Sequence, residues 1–218
     1  MDFKRLKNIH REVRTNFPDE TSIRIHRSLS WINRAEQEKN DLDSSFIFYW
    51  IAFNSVYSEN NFFNLKDTEK SKYLTFFKKI LNVDKDQIIY KAIWNDFSGP
   101  IRNLINNIFV YDPFWRFHNG ENKYCNWETD FNNQKQKILL ALKAKNTLKI
   151  LNIVFSRLYV LRNQILHGGT TWNSKVNRNQ IRDSQKIIEF LVVSFVYIML
   201  HNKDIDWGKL SYPIINTY

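Results

Sequence analysis

Residues 151–169 have the sequence LNIVFSRLYVLRNQILHGG, in which apolar side chains recur at the spacing of one face of an α-helix. The members of this stripe are Leu151, Val154, Phe155, Leu158, Leu161 and Ile165. Gly168 and Gly169 follow the stripe, and glycines at this position favour the left-handed backbone that ends a helix. The pattern therefore predicts a buried amphipathic helix that ends near His167.

The last turn of this helix carries Arg162, Asn163 and His167. Asn163 and His167 share one helix face, whereas Arg162 reaches that face through its long side chain or through a loosened last turn. A guanidinium group can hold a phosphate by paired hydrogen bonds, and an imidazole can transfer a proton near neutral pH. These residue types can cleave or hold a phosphodiester. By spacing alone, however, a histidine that only interacts with the helix dipole is the more common explanation.

The remainder of the chain also has helical spacing, and no segment alternates in the manner of a strand. We predict helices at about residues 21–39, 46–58, 65–82, 84–97, 101–109, 129–144, 146–167 and 177–201. Residues 1–20 are predicted to form a short helix or an N-terminal arm, and Gly99-Pro100 to separate two helices. The sequence thus predicts an all-α helical bundle, formed by residues 1–218 as a single domain.

Composition indicates a folded protein, because 43% of the 218 residues are hydrophobic and only 5 Gly and 4 Pro occur. The single cysteine, Cys125, excludes an internal disulfide and is typical of a reducing cytoplasm. No apolar run is long enough to span a membrane, and the N-terminus lacks the apolar block of a secretory signal. We therefore expect a cytoplasmic protein with no membrane partner.

The net charge of +10 favours a polyanionic partner such as RNA. The same charge is also found on basic proteins that have no such partner, and here lysine and arginine are spread along the chain. We expect no metal ion and no cofactor, since the histidines lack metal-ligand spacing and no glycine-rich phosphate loop occurs.

The predicted helix at 46–58 is apolar nearly all round, which places it at the centre of the bundle. Trp50, Asn54 and Tyr57 share one of its faces. A buried Asn54 needs a partner, and it would either orient Arg162 or His167 or make a hydrogen bond within the core.

Other side chains have both a functional and a structural interpretation. Asp43 would support the site or only cap its helix. Thr170, Thr171 and Trp172 would line the mouth of the site or form an ordinary connector. The aromatic residues of a predicted loop at 111–128 would stack on bases or, as we favour, pack against the core.

The arrangement Arg-Asn-x-x-x-His at a helix end resembles the signature of the HEPN superfamily. Three segments extend the resemblance to a bacterial HEPN group: SLSWINRAEQE at 28–38, DLDSSFIFYWIAFNSVY at 41–57 and RLYVLRNQILHGGTTWNSKVNRNQIRD at 157–183. The resemblance covers both ends of the chain and leaves about 61–130 as an inserted helical and loop region. It implies an HEPN-like helical bundle that forms a homodimer.

The resemblance also implies a metal-independent endoribonuclease whose site combines two copies of Arg162, Asn163 and His167. His167 would move a proton, Arg162 would stabilise charge in the transition state, and Asn163 would hold His167 or the phosphate. The usual context of the family is a toxin or a phage-defence effector, with an antitoxin or a neighbouring defence protein as partner. Gly169 stands where some of these toxins have a tyrosine that an antitoxin modifies, which argues against that regulation here.

Two alternatives to the enzyme remain open at this point. One is a non-catalytic HEPN module that binds RNA, a nucleotide or a partner protein. The other is a helical dimer with a purely structural role.

Overall fold

The computed structural model describes residues 1–58 and 69–215, and the predicted all-α class is confirmed. No strand occurs in these two ranges. The helices are α1 (Phe3–Val13), α2 (Asp19–Gln37), α3 (Leu42–Tyr57), α4 (Glu69–Val83), α5 (Ile88–Lys91), α6 (Ser98–Asn106), α7 (Asp112–His118), α8 (Trp127–Lys143), α9 (Thr147–Leu166) and α10 (Arg178–Leu200). A π-helical turn at Ala92–Asp96 continues α5, and short 3-10 turns lie at Arg14–Asn16, Ile108–Val110 and Asn122–Tyr124.

Four helices meet in an aromatic core. Phe53 of α3, Phe77 of α4, Phe155 of α9 and Phe195 of α10 are each fully buried. The ring centroids of Phe53 and Phe155 are 4.4 Å apart, and those of Phe77 and Phe155 are 4.8 Å apart. Aromatic side chains bury the largest apolar areas, so this cluster holds α3, α4, α9 and α10 together. It explains why α3 is apolar on nearly every face.

Arg24 on α2 ties the C-terminal segment to the bundle. Its fully buried guanidinium donates hydrogen bonds to the carbonyl oxygens of Val56, Ser58, Gly208 and Lys209. Carbonyl groups at the end of a helix lack partners within it, so Arg24 satisfies the end of α3 and fastens the tail in one step. Trp207, next to this contact, is only 1% exposed.

The N-terminal residues and the middle of the chain show where sequence patterns were ambiguous. Residues 3–13 form α1, and its Leu6 and His10 side chains are buried. Gly99 and Pro100 do not separate two helices, contrary to the prediction, but lie in the first turn of α6. The first turn needs no backbone N–H donor from proline, and proline has the backbone angle that a helix start requires.

The prediction of a loop at 111–128 was also wrong, because α7 and a 3-10 turn occupy most of this segment. Its aromatic side chains pack on one another: the Phe114 ring is 5.0 Å from both Trp115 and Trp127. Of the predicted helix at 65–82, residues 65–68 lie outside the described ranges, as does the start of the 61–130 region. None of the described helices is both long and apolar enough to cross a membrane.

Candidate functional site

The end of α9 is defined by two glycines. The N–H of Gly168 donates to the carbonyl of Ile165 at 3.4 Å, and that of Gly169 donates to the carbonyl of Gln164 at 2.7 Å. Gly168 has a φ of +71°, so these bonds form a Schellman motif. A Cβ on Gly169 would lie 3.2 Å from the Gln164 carbonyl oxygen. The glycines thus end the helix directly after His167, as the sequence predicted.

Within this last turn, Arg162 and Asn163 are joined to each other. Arg162 Nη1 donates to Asn163 Oδ1 at 2.8 Å, and the Arg162 guanidinium lies over the Tyr159 ring, 5.8 Å from its centroid. The Arg162 Nε atom is buried and has no hydrogen-bond partner among the described residues. The His167 side chain is exposed, and its ring makes no hydrogen bond to any described residue. Asn163 therefore orients Arg162, while the His167 ring faces solvent.

Asp41 connects the start of α3 to the segment that follows the motif. Its carboxylate caps α3 by accepting hydrogen bonds from the Ser44 N–H at 3.2 Å and the Ser44 hydroxyl at 2.7 Å. It also accepts one from Trp172 Nε1 at 3.1 Å. Burial acts to raise the pKa of Asp41, but the hydrogen bonds from Ser44 and Trp172 outweigh burial and lower this pKa. Asp41 is therefore a charged anchor for Trp172.

Asp43 makes the second connection between α3 and this segment. Its Oδ2 atom lies 2.7 Å from Arg178 Nη2 and accepts from the Asn173 N–H at 3.3 Å. The Asp43 side chain is 7% exposed and that of Arg178 is 24% exposed. The N-cap of α3 is therefore Asp41 and not Asp43. Asp43 instead pairs with Arg178, the first residue of α10. Together the two aspartates fasten residues 170–177, which we call the connector.

The connector and α3 enclose a cleft of about 350 Å³ beside the motif. Its lining residues are Asp43, Ser44, Ile47, Phe48, Ile165, Thr170, Thr171 and Trp172. The Thr170 hydroxyl accepts a hydrogen bond from Asn177 Nδ2 at 3.2 Å, which stabilises the connector internally. The threonines and Trp172 therefore belong both to an ordered connector and to the wall of a cleft.

The predicted supporting residues on α3 lie further from the motif. Trp50 is 1% exposed and its ring lies 6.1 Å from Tyr159. Tyr57 is buried, with its ring 4.4 Å from that of Phe53. Phe53 packs on Phe155, which precedes Arg162 on α9 by about two helical turns. Asn54 is next to Phe53 in α3 and therefore lies at the height of Phe155, away from Arg162.

Asn54 has a buried Oδ1 atom with no hydrogen-bond partner in the described structure. No hydrogen bond joins it to Arg162 or His167 within those residues. The sequence offered two interpretations for Asn54, orientation of the motif and a hydrogen bond within the core. The described residues show no partner of Asn54 Oδ1 for either of them.

Apolar side chains are exposed around the end of α9. Leu166 is 49% exposed, Trp172 71% and Val176 98%. Phe109 is 51% exposed, and its carbonyl accepts a hydrogen bond from Gln164 Nε2, so it lies beside the motif helix. Phe109 and Val176 line one further cleft. An exposed apolar surface of this kind commonly marks an interface.

No family model, no curated protein and no solved structure matches this chain. The described residues contain no group of three or more His, Cys, Asp and Glu side chains that could hold a metal ion. The functional interpretation therefore depends on the side chains at the end of α9 and on the sequence resemblance.

Asp41 and Arg178 are site-forming residues that the sequence did not single out. Each contributes through a contact with a residue more than 130 positions away in the chain. The available signal was the pair Asp41 and Asp43 at a helix start, since two carboxylates there exceed what a single cap requires.

Proposed function

We propose that the protein is a metal-independent endoribonuclease of HEPN type that acts as a homodimer. One observation carries the proposal: a guanidinium oriented by Asn163 and an exposed, unbonded imidazole lie in the same last turn of α9, surrounded by exposed apolar side chains. Arginine recognises phosphate and histidine transfers protons, so this turn supplies both functions that phosphodiester cleavage needs.

The proposed reaction uses the 2′-hydroxyl of the RNA as nucleophile. The 2′-oxygen attacks phosphorus and the bond from phosphorus to the 5′-oxygen breaks, which leaves a 2′,3′-cyclic phosphate and a 5′-hydroxyl end. One His167 accepts the proton of the 2′-hydroxyl, and a second copy of His167 donates a proton to the 5′-oxygen. Arg162 stabilises the extra negative charge of the transition state. DNA, which lacks the 2′-hydroxyl, is not cleaved.

A twofold dimer supports this chemistry, because one helix end offers one imidazole while the reaction uses an acid and a base. A twofold axis near His167 would bring identical groups together and cover Leu166, Trp172 and Val176 with the same side chains of the second chain. The net charge of +10 favours an RNA substrate. Light scattering at micromolar concentration should give twice the mass of one chain.

The central experiment compares His167→Ala with His201→Ala on single-stranded RNA in excess EDTA. His201 is a matched control, because it is also an exposed histidine at a helix end, that of α10. His167→Ala should lower the cleavage rate about 100-fold or more, since it removes the proton carrier. RNA affinity should change little, and His201→Ala should cleave normally. Cleavage that His167→Ala leaves unchanged would refute the proposal.

Arg162 tests the phosphate side of the same proposal. Arg162→Ala should lower both rate and affinity, and Arg162→Lys should restore activity only in part, because lysine lacks the forked geometry. If these residues only brace the helix, both alanine variants should instead lower the melting temperature and retain activity in proportion to the folded fraction. RNA binding without cleavage in the wild type would favour the non-catalytic module.

The cellular role that the resemblance implies is a toxin or phage-defence effector in the cytoplasm, with an antitoxin or a neighbouring defence protein as partner. Induced expression of the wild type should then stop growth and yield RNA fragments with cyclic phosphate ends. His167→Ala, produced at the same level, should do neither.

A further inference from the structure

A separate cleft has cationic side chains in its wall, and its most buried charge is Arg157 of α9. The cleft has a volume of about 460 Å³, and its wall includes Arg116, Arg157, Tyr111, Tyr159 and Asp112. This volume is in the range of sites for small organic molecules. Arg162, Asn163 and His167 are not among its lining residues.

Arg157 is 4% exposed, and no carboxylate pairs with it in the described part of the chain. Its Nη2 donates to Gln134 Oε1 at 2.8 Å and its Nη1 to the Val110 carbonyl at 3.5 Å. The Nε atom is buried, and no described residue offers it a hydrogen bond. Burial lowers the pKa of Arg157 to about 10, which still leaves the group charged near neutral pH. A buried charge normally has an opposite charge beside it, and Arg157 has only neutral acceptors.

Aromatic rings hold the Arg157 guanidinium in position. Its Cζ atom lies 4.7 Å from the centroid of Tyr111 and 5.5 Å from that of Phe131. Cation–π contacts of this kind stabilise a guanidinium without neutralising it. The positive charge of Arg157 therefore remains available to an anion that enters the cleft.

Arg116 supplies a second, more accessible cation at the same cleft. Its side chain is 43% exposed and forms ion pairs with Asp112 at 2.6 Å and with Glu121 at 3.4 Å. These partners lie on the surface, where ion pairs are weak and exchange readily. Arg116 can therefore turn from Asp112 to a bound anion at small cost, which gives the cleft one fixed and one mobile cation.

We propose that this cleft binds a phosphate-bearing small molecule of mononucleotide size, with its phosphate on Arg116 and Arg157. The wall also contains Tyr159 and Val160, against which the organic part of the ligand packs. Tyr159 is also the ring beneath the Arg162 guanidinium, so an occupant of the cleft touches the support of the motif arginine. Binding in this cleft requires no nuclease activity.

The test is calorimetric titration of the full chain with AMP, with adenosine as the uncharged comparison. AMP should bind and adenosine should bind at least about 10-fold more weakly, since only AMP has a phosphate that can form charged hydrogen bonds with the arginines. Arg116→Gln should weaken AMP binding about 10-fold or more. Asp112→Asn should tighten AMP binding, because it removes the negative charge that competes for Arg116.

Three controls make the result specific to this cleft. Arg102→Gln removes an exposed cation that lines a different cleft and should leave AMP binding unchanged. Arg162→Ala should also retain it, because the motif arginine does not line the site. Arg116→Gln replaces a partly exposed side chain, so the variant should fold, and its melting curve verifies this. The proposal is overturned if AMP does not bind at millimolar concentration, or if Arg162→Ala abolishes binding while Arg116→Gln does not.

Discussion

Asp43 offers a direct measure of how firmly the connector is attached to α3. The substitution Asp43→Ala removes the carboxylate that lies 2.7 Å from Arg178 Nη2 and that also accepts from the Asn173 N–H. An exposed ion pair contributes about 0–1 kcal/mol, whereas breaking a buried pair costs about 3–5 kcal/mol. With side chains 7% and 24% exposed, this pair lies between those limits. We expect Asp43→Ala to lower the free energy of unfolding by about 2 kcal/mol.

Urea unfolding, followed by circular dichroism, measures this loss, provided that the slope of free energy against urea stays the same. Asp112→Ala is the matched control, because its ion pair with Arg116 is exposed and its removal should cost less than about 1 kcal/mol. A double-mutant cycle with Arg178→Met isolates the interaction between the two side chains. Hydrogen exchange should also become faster at the amides of residues 170–177.

The reasoning would be refuted by a specific combination of results. If Asp43→Ala costs no more than Asp112→Ala, and the cycle with Arg178→Met gives no coupling energy, the contact does not hold the connector. Unchanged exchange at residues 170–177 would lead to the same conclusion by an independent measurement.

Two further predictions concern a helix end and a buried histidine. Gly168→Ala should lower the free energy of unfolding by about 1 kcal/mol, because alanine is strained at a φ of +71°. Gly99→Ala, in the first turn of α6, should not destabilise the protein. The urea midpoints of the two variants test this difference. Burial, followed by the charges of Lys7 and His26, lowers the pKa of His10 from 6.5 to about 4. Between these pH values the unfolded chain binds more protons, so stability should fall by up to about 3 kcal/mol as the pH drops through this window. His10→Asn should lose less stability between pH 7.5 and 4.5, and an equal loss in both proteins would contradict this assignment.

The long helices were predictable because their apolar residues repeat with a clear period. The stripe from Leu151 to Ile165 and the glycines after it gave α9 and its end correctly. Gly99-Pro100 misled the prediction, since the same two residue types serve both turns and first turns of helices. The segment at 111–128 lacks a helical period, and its short helix α7 is stabilised by packing, which local sequence does not report.

Only the part of the candidate site that is formed by residues close together in the sequence was predictable. Arg162, Asn163 and His167 lie within six consecutive residues at the end of α9, so spacing alone predicted that they are near one another, and Arg162 and Asn163 are joined by a hydrogen bond. The contact between Asp43 and Arg178 joins residues 135 positions apart, and no local pattern encodes it. The helix face that carries Asn54 likewise did not predict that its Oδ1 atom would lack a partner among the described residues. That outcome depends on which residue of α9 lies opposite Asn54.

The attachment of the connector to Asp41 and Asp43 has a consequence for the order in which the molecule is completed. Both aspartates belong to the first quarter of the chain, whereas Trp172 and Arg178 are synthesised much later. Because closing so long a stretch of chain costs entropy, we expect these contacts to form late in folding. A chain that ends before α10 contains every motif residue but lacks Arg178, the partner of Asp43. The surroundings of His167 therefore reach their final form only once α10 is present, and a chain that stops short of α10 carries the motif without its assembled support.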